Sequence, residues 1–249
     1  MLSYILIGYN NHLPIMETKE LNILIDQKNE EYISSYISKL LRKKFGRGPR
    51  SCQTTISQNY LVTYVGGFLS PMEDVMLQHG QNQYVDHARN VIITHLLDEI
   101  KGVIQITFDV EVEEYYHDWN FPNNSGILIF MLDTEVHQKV ETNIDIQRFE
   151  LEVGRISLLV EKVPDKINTF PISPSIFLVE RNGILIQIEK ALIDKGFENE
   201  LKYTKDELEK GYFHRYGRFE DIFHKSVRDI FIDWNFKLDK SVMAFILNS

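Results

Sequence analysis

The chain has 249 residues, of which 43% are hydrophobic and 25% charged, the ordinary make-up of a water-soluble globular protein with one large domain or two of medium size. Its 36 acidic and 27 basic side chains give a formal net charge of −9, which disfavours general nucleic-acid binding because that function needs a basic face. The single cysteine, Cys52, excludes an internal disulfide and a multi-cysteine metal site, so we expect a reducing, cytoplasmic setting. No run approaches the roughly 20 apolar residues that span a bilayer, so we expect no direct membrane insertion.

Residues 1–26 are predicted to form a flexible tail. Their short apolar run lacks the basic leader and the small-residue cleavage site of a signal peptide. Translation could start at Met1 or at Met16, since the first well-patterned segment follows soon after Met16.

The first predicted element is an amphipathic helix that ends near Phe45. Apolar side chains recur at helical spacing over residues 32–41, Gly46 suits a left-handed cap, and Pro49 cannot continue a helix. The two β-rich runs that follow, SCQTTIS and YLVTYVGG, predict a hairpin.

A second helix is predicted over residues 83–101, and Gly102 is expected to end it. The next run, VIQITFDVEVEE at residues 103–114, alternates apolar and polar side chains and predicts a strand with one buried and one acidic face. We interpret DWNFPNNS as a turn and GILIFML as a buried strand.

The second half of the chain repeats this order. RFELEVGRISLLVEKV predicts a helix that Pro164 ends, and SIFLVERNGILIQI predicts a hairpin that turns at Asn182-Gly183. Residues 205–224 predict another helix, and VRDIFIDWNF with SVMAFILN predicts a closing strand pair. Residues 226–232 could also extend the helix, but the parallel with the first half favours a strand.

Each half therefore predicts a helix, a β-hairpin, a helix and two strands, and the fold class is α+β. We expect two tandem repeats, each an antiparallel-rich sheet with its helices packed on one face. The predicted lobes cover residues 27–135 and 147–249, with a polar linker at 136–146. No long Gly/Ser-rich or Pro-rich linker is present, so the lobes should pack on each other.

The first candidate site is the basic stretch RKKFGRGPRS, which has no acidic residue. Its cations are Arg42, Lys43, Lys44, Arg47 and Arg50. Glycine-flanked backbone amides with arginines are suited to holding an anion. The same residues also suit a helix C-terminus, where cations favour the macrodipole and Gly46 caps the last turn. The spacing leaves both interpretations open and favours the structural one.

The word DWNF occurs in both halves and contains both tryptophans of the chain. We expect Trp119, Phe121, Trp234 and Phe236 to anchor the repeat by packing, and the two tryptophans could also meet between the lobes.

His117 and Asp118, beside the acidic run EVEEYY, are weak candidates for a divalent metal. The second DWNF lacks this set, so we expect no metal and no cofactor. The motifs of serine hydrolases, zinc proteases, dinucleotide-binding proteins and EF-hands are absent from the sequence, which favours a protein that is not an enzyme.

Three stretches of the first lobe together resemble the bacterial MpsC family, a component attributed to a sodium-translocating, membrane-potential-generating system. They are FGRGPRS at 45–51, GGFLSPMEDVMLQHG at 66–80, and the first DWNF followed by GILIFML. The matching residues are Gly46, Arg47, Gly48, Pro49, Leu69, Ser70, Pro71 and Glu73. The second lobe resembles a divergent copy, with PDKINTF in place of the GRGP loop and ALIDKGFENE in place of the LSPMEDV segment.

The resemblance implies a cytoplasmic accessory module, with no known catalytic residues, that works beside a membrane complex for ion or inorganic-carbon transport. It implies a protein partner, and a homo-oligomer is also open. The predicted contact surface joins Arg47–Arg50 to Leu69–Glu73. The alternative is a sensor or enzyme that holds a phosphate, nucleotide or bicarbonate-like anion in the same loop. Ser70, Pro71 and Glu73 also predict a capping box at a helix start.

Overall fold

The computed structural model describes residues 18–135 and 140–248, and its side chains from residue 27 onward. The first lobe consists of α1 (Thr18–Phe45), β1 (Ser51–Ser57), β2 (Tyr60–Gly66), α2 (Pro71–Gln78), α3 (Asn82–Phe108), β3 (Val112–Asn120) and β4 (Ser125–Leu132). Helix α1 begins inside the predicted tail. The rest of that tail, including Met16, and residues 136–139 of the predicted linker lie outside the described residues.

The second lobe repeats this order of elements and adds two short helices, one before and one after its third strand. It consists of α4 (Ile146–Val160), β5 (Lys166–Ser173), β6 (Ile176–Asn182), α5 (Gln187–Asp194), α6 (Glu198–Tyr216), α7 (Glu220–Phe223), β7 (Val227–Asn235), a 3-10 helix (Phe236–Leu238) and β8 (Lys240–Leu247). The two four-stranded sheets have the orders β1-β2-β4-β3 and β5-β6-β8-β7, with antiparallel neighbours throughout. The predicted α+β tandem repeat is confirmed, including the strand at residues 226–232.

The two sheets pack face to face, and each lobe's helices cover the outer face of its own sheet. In β2, Leu61 and Val65 join the core under the helices, whereas Tyr60 and Val62 join a core shared with strands of the other lobe. Both faces of each sheet are therefore buried. This double burial explains why strands such as GILIFML consist almost wholly of apolar residues.

The predicted strand at residues 103–114 is wrong in its first half, because α3 continues to Phe108. The run alternates like a strand, but Ile100 and Ile104 also lie one helical turn apart and are both buried, whereas Ile106 is 86% exposed. Packing of this helical face outweighs the roughly 1 kcal/mol that a glycine such as Gly102 costs inside a helix.

The predicted hairpin at Asn182-Gly183 is also wrong, because β5 and β6 are joined at residues 174–175. Gly183 instead leads from β6 towards α5, with a φ of +66° and its N–H bonded to the carbonyl of Asp239 at 2.8 Å. Gly67 has the same place in the first lobe, with a φ of +70° and a bond of 2.7 Å to the carbonyl of Asn124. Glycine tolerates a positive φ in a turn that leads from a strand to a helix as well as in a β-hairpin, so the Asn-Gly pair fits both.

Candidate functional site

The basic loop, residues 42–50, is fitted closely to its own arginine side chains. A Cβ at Gly48 would lie 2.8 Å from Nε of Arg42, and a Cβ at Gly67 would lie 2.7 Å from Cγ and Cδ of Arg50. The arginines thus lie over glycines, so a larger residue at either glycine would displace them. The loop conformation is set by this packing and by Gly46, whose φ of +72° ends α1.

The structure brings the basic loop beside the LSPMED segment. Nη1 of Arg47 donates a hydrogen bond to the carbonyl oxygen of Leu69 at 3.1 Å. Arg47 and Arg50 are exposed, as are the neighbouring apolar side chains of Met72 (72%) and Val75 (54%) on α2. Within the described residues, no carboxylate forms a salt bridge with a cation of this loop. The two motif segments therefore present one surface that is basic and partly apolar.

The predicted capping box at the start of α2 is confirmed. Ser70 is the N-cap and accepts the N–H of Glu73 at 3.3 Å, Glu73 accepts the N–H of Ser70 at 2.7 Å, and Pro71 begins the helix. Glu73 is nevertheless buried, which is unusual for a capping residue. Burial opposes its ionisation, but hydrogen bonds and charge from Arg89 outweigh burial, so that the pKa of Glu73 is lowered.

Arg89, on α3, is the residue on which the three family-like stretches converge. It is 2% exposed and donates from Nε and Nη2 to the Glu73 carboxylate at 2.8 and 3.0 Å. Four aromatic rings surround its guanidinium, with centroids at 4.2 to 5.6 Å. They belong to Phe45, Phe68, Trp119 and Phe121. A buried cation is tolerable only when it is paired and hydrogen-bonded in this way.

Sequence reasoning missed Arg89, although one signal was present. Arg89 stands one helical turn from Val85 and from Ile93, on the face of α3 that is otherwise apolar and buried. A single cation on an apolar helix face requires a buried acceptor, and Glu73 is the acid that provides it.

The second lobe keeps the acid–base pair but not the aromatic cage. Glu189 of α5 accepts the N–H of Ile186 at 2.9 Å and pairs with Lys205 at 2.8 Å. Lys205 also contacts Glu161 and Glu209. The counterpart of LSPMEDV is thus LIQIEKA at residues 185–191, and the predicted correspondence with ALIDKGFENE is wrong.

The repeated word DWNF joins the two lobes through its aspartates. Asp118 accepts the backbone N–H of Ile232 at 2.8 Å, and Asp233 accepts the backbone N–H of His117 at 2.8 Å. We call this reciprocal pair of bonds the aspartate clamp. Lysines of α6 complete it, with Lys210 at 2.7 Å from Asp118 and Lys202 at 2.5 Å from Asp233.

The aromatic residues of DWNF lie in the cores of their own lobes. Trp119 packs under the helices of the first lobe, whereas Trp234 and Phe236 pack under those of the second. The expectation that the tryptophans meet between the lobes is therefore wrong. His117 and Asp118 serve the clamp, and the described part of the chain contains no group of three His, Cys, Asp or Glu residues that could hold a metal ion.

Comparison with known proteins finds one family whose model matches the first lobe. Residues 26–134 match the family described as "Na+-translocating membrane potential-generating system (MpsC)". No curated protein and no solved structure matches the chain. In the described residues, no helix is long and apolar enough to cross a membrane. The matched region contains the basic loop, the capping box of α2, Arg89 and the first DWNF. The first lobe of this chain is therefore similar to the MpsC family over residues 26–134.

Proposed function

We propose that the protein is a non-enzymatic interaction module, working in the cytoplasm as an accessory to a membrane system for ion or inorganic-carbon transport. Its basic loop binds an acidic segment of a protein subunit of that system. The observation that carries this proposal is the concentration of five exposed cations within residues 42–50, in the last turn of α1 and the loop after it, in a protein whose net charge is −9. The family description, which names a membrane-potential-generating system, supports the kind of partner.

The composition of the surface favours a protein partner. Within the described residues, the cations of the loop have no carboxylate partners, so their charge is available to a ligand from outside. Met72 and Val75 expose apolar area on α2, the helix that follows the Leu69 contact of Arg47, and a patch that is both basic and apolar is typical of a protein interface. The loop follows the C-terminus of α1, where helix carbonyls carry partial negative charge, and this disfavours a small free anion.

The proposal is tested with the double charge reversal Arg47→Glu/Arg50→Glu. The tagged chain is recovered from its native cells in mild detergent, and the recovered membrane subunit is then purified and titrated against the chain. We expect binding to wild type that weakens as salt rises, and no binding to the double variant. The matched control is Lys195→Glu/Lys237→Glu, which makes the same change of charge at exposed positions of the second lobe and should bind like wild type.

Thermal unfolding followed by circular dichroism checks that the variant is folded. Arg47→Glu removes one hydrogen bond to Leu69, which is worth about 1 kcal/mol. If Arg47→Glu/Arg50→Glu is unfolded, the variant Lys43→Glu/Lys44→Glu is used in its place. This variant reverses two exposed charges in the last turn of α1. A folded charge-reversal variant that binds the subunit as tightly as wild type would refute the proposal.

The small-anion alternative has its own test. Phosphate, a nucleotide or bicarbonate at about 100 times its dissociation constant would stabilise the folded chain by about 2.7 kcal/mol. If one of these anions raises the melting temperature of wild type but not of the Arg47→Glu/Arg50→Glu variant, the basic loop is an anion-binding site and the interaction-module proposal is refuted.

A further inference from the structure

A cavity of about 680 Å³ opens between α3 of the first lobe and α6 of the second. Its floor is formed by the two DWNF strands, with His117 and Asp118 from β3 and Ile232 and Trp234 from β7. This volume lies within the usual range for sites that bind small molecules, and such sites often lie where two lobes meet. The cavity is formed by different residues from the basic loop, so the proposed function leaves it unexplained.

The walls of the cavity carry more acids than bases. The carboxylates that line it are those of Asp86, Asp118, Glu200 and Asp206, and the lining lysine is Lys202. Behind this lining, Lys210 pairs with Asp118 at 2.7 Å and with Asp206 at 2.6 Å, whereas Lys202 is already paired with Asp233. Both lysines are thus paired within the protein, and the lining carboxylates outnumber them. Burial raises the pKa of Asp118 and of Asp206, so a bound cation would favour their ionised forms.

Asp86 and Glu200 are the lining carboxylates without an ion pair among the described residues, and Asp86 is the more buried of the two. Its Oδ2 accepts a hydrogen bond from the amide of Asn90 at 2.9 Å. Burial raises the pKa of Asp86, and the charges of Lys210 and Lys202 oppose that rise only from a distance. A cation bound in the cavity would supply the missing countercharge.

His117 is the second polar residue of the cavity floor, and its ring also has an acceptor without a donor, buried beneath the lining. Asn90 donates its amide to Asp86, so its carbonyl is the acceptor for Nε2–H of His117 at 3.2 Å. This arrangement leaves Nδ1 of His117 as a bare acceptor, and Nδ1 has no hydrogen-bond partner although the side chain is only 8% exposed. The nearest carboxylate oxygen, on Asp233, lies 3.7 Å away and also lacks a proton to donate.

We propose that this interlobe cavity binds a small organic cation of the alkyldiamine class, with Asp86 as its principal charge partner. The ammonium groups supply countercharge to the lining carboxylates that have no ion pair, and the methylene chain packs on Val91 and Ile232. An inorganic ion is disfavoured because the described residues contain no metal-binding cluster. An anion is disfavoured because the nearby lysines already have carboxylate partners.

Isothermal titration calorimetry with 1,4-diaminobutane tests this proposal. We expect saturable binding to the wild-type chain, and binding at least tenfold weaker to Asp86→Asn, which keeps an acceptor for Asn90 but removes the charge. The matched control Asp98→Asn changes an exposed acid on the same helix and should bind like wild type. Neutral 1,4-butanediol, and sodium chloride at equal ionic strength, should give no saturable heat.

A second variant keeps the test valid if Asp86→Asn does not fold. Val91→Trp places a large ring at an exposed position in the cavity wall and should weaken diamine binding without changing any charge. The proposal is overturned if the diamine gives no saturable binding, if both variants bind it as tightly as wild type, or if sodium chloride reproduces its effect.

Discussion

The buried pair of Glu73 and Arg89 should be the most sensitive ionic contact in the first lobe. Glu73→Gln keeps the shape of the side chain and an oxygen that can cap α2, but removes the countercharge of Arg89. Arg89 is then a cation that is 2% exposed and has four aromatic rings but no carboxylate at its two donors. Removing one partner of a buried ion pair costs about 3 to 5 kcal/mol. The cation–π contacts that stabilise the remaining cation offset about 1 to 2 kcal/mol of this cost. We therefore expect a net loss of about 2 to 4 kcal/mol.

The assay is urea unfolding of wild type and variants at neutral pH. The matched control is Glu189→Gln in the second lobe, which should cost less because Lys205 keeps Glu209, whose pKa despite burial is lowered by Arg181 and Lys205, as its charge partner and Glu161 as a further acceptor. The double variant Glu73→Gln/Arg89→Met should recover much of the loss, because it leaves no unpaired buried charge. A loss below about 1 kcal/mol for Glu73→Gln, or one no larger than that for Glu189→Gln, would refute this account of the pair.

The same pair has a defined pH dependence. Because the folded-state pKa of Glu73 lies below its unfolded value of about 4.3, the stabilisation is present above that value. It is lost as pH falls through the folded-state pKa. The difference in unfolding free energy between wild type and Glu73→Gln should therefore shrink in acid, and a difference that stays constant down to pH 2 would contradict the ionic origin of the effect.

Three further changes test other contacts. Burial raises the pKa of Glu161 to about 7. Ionisation of Glu161 therefore opposes folding increasingly between about pH 4.5 and 7. In thermal unfolding, Glu161→Gln should stabilise the chain by about 1 to 2 kcal/mol at pH 8 but not at pH 4. Gly126→Ala should destabilise strongly, because its Cβ would lie 2.1 Å from Cε3 of Trp119, and normal urea unfolding of this variant would contradict the packing. Asp118→Ala leaves the N–H of Ile232 without its acceptor and Lys210 with Asp206 as its remaining carboxylate, and it should cost about 2 kcal/mol in urea unfolding. A loss under about 1 kcal/mol would argue against the aspartate clamp.

Elements set by local chemistry were predictable from the sequence. The end of α1 follows from Gly46 and Pro49, and the start of α2 follows from Ser70 and Glu73, because a cap is made by residues a few positions apart. The strand prediction for VIQITF was wrong because the apolar residues of this run fit both a strand and a helix. Only packing against the rest of the lobe decides between the two. The hairpin prediction at Asn182-Gly183 was wrong because the sequence indicates a residue that can adopt a positive φ, but not which elements the turn connects.

The contacts of the candidate site could not be predicted because they join distant parts of the chain. The sequence predicted that the basic loop and the LSPMED segment share a surface, but the bond from Arg47 to Leu69 depends on how the two segments pack. The aspartate clamp depends on the crossing of two lobes, so the repeat of DWNF suggested common architecture without showing that each aspartate serves the other lobe.

Comparison of equivalent positions in the two lobes shows which features the shared fold requires and which belong to the proposed binding surface. Arg50 and Asp165 have equivalent places, since their N–H groups bond to the carbonyls of Gly66 and Asn182 at 2.8 and 2.9 Å. Each side chain also lies over the glycine that follows, Gly67 or Gly183. One position is thus a cation in the first lobe and an anion in the second. A fold that needed either charge would keep it in both lobes, so the basic charge of the first lobe is a property of its surface. If the proposed partner binds this surface, it meets one such loop on each chain.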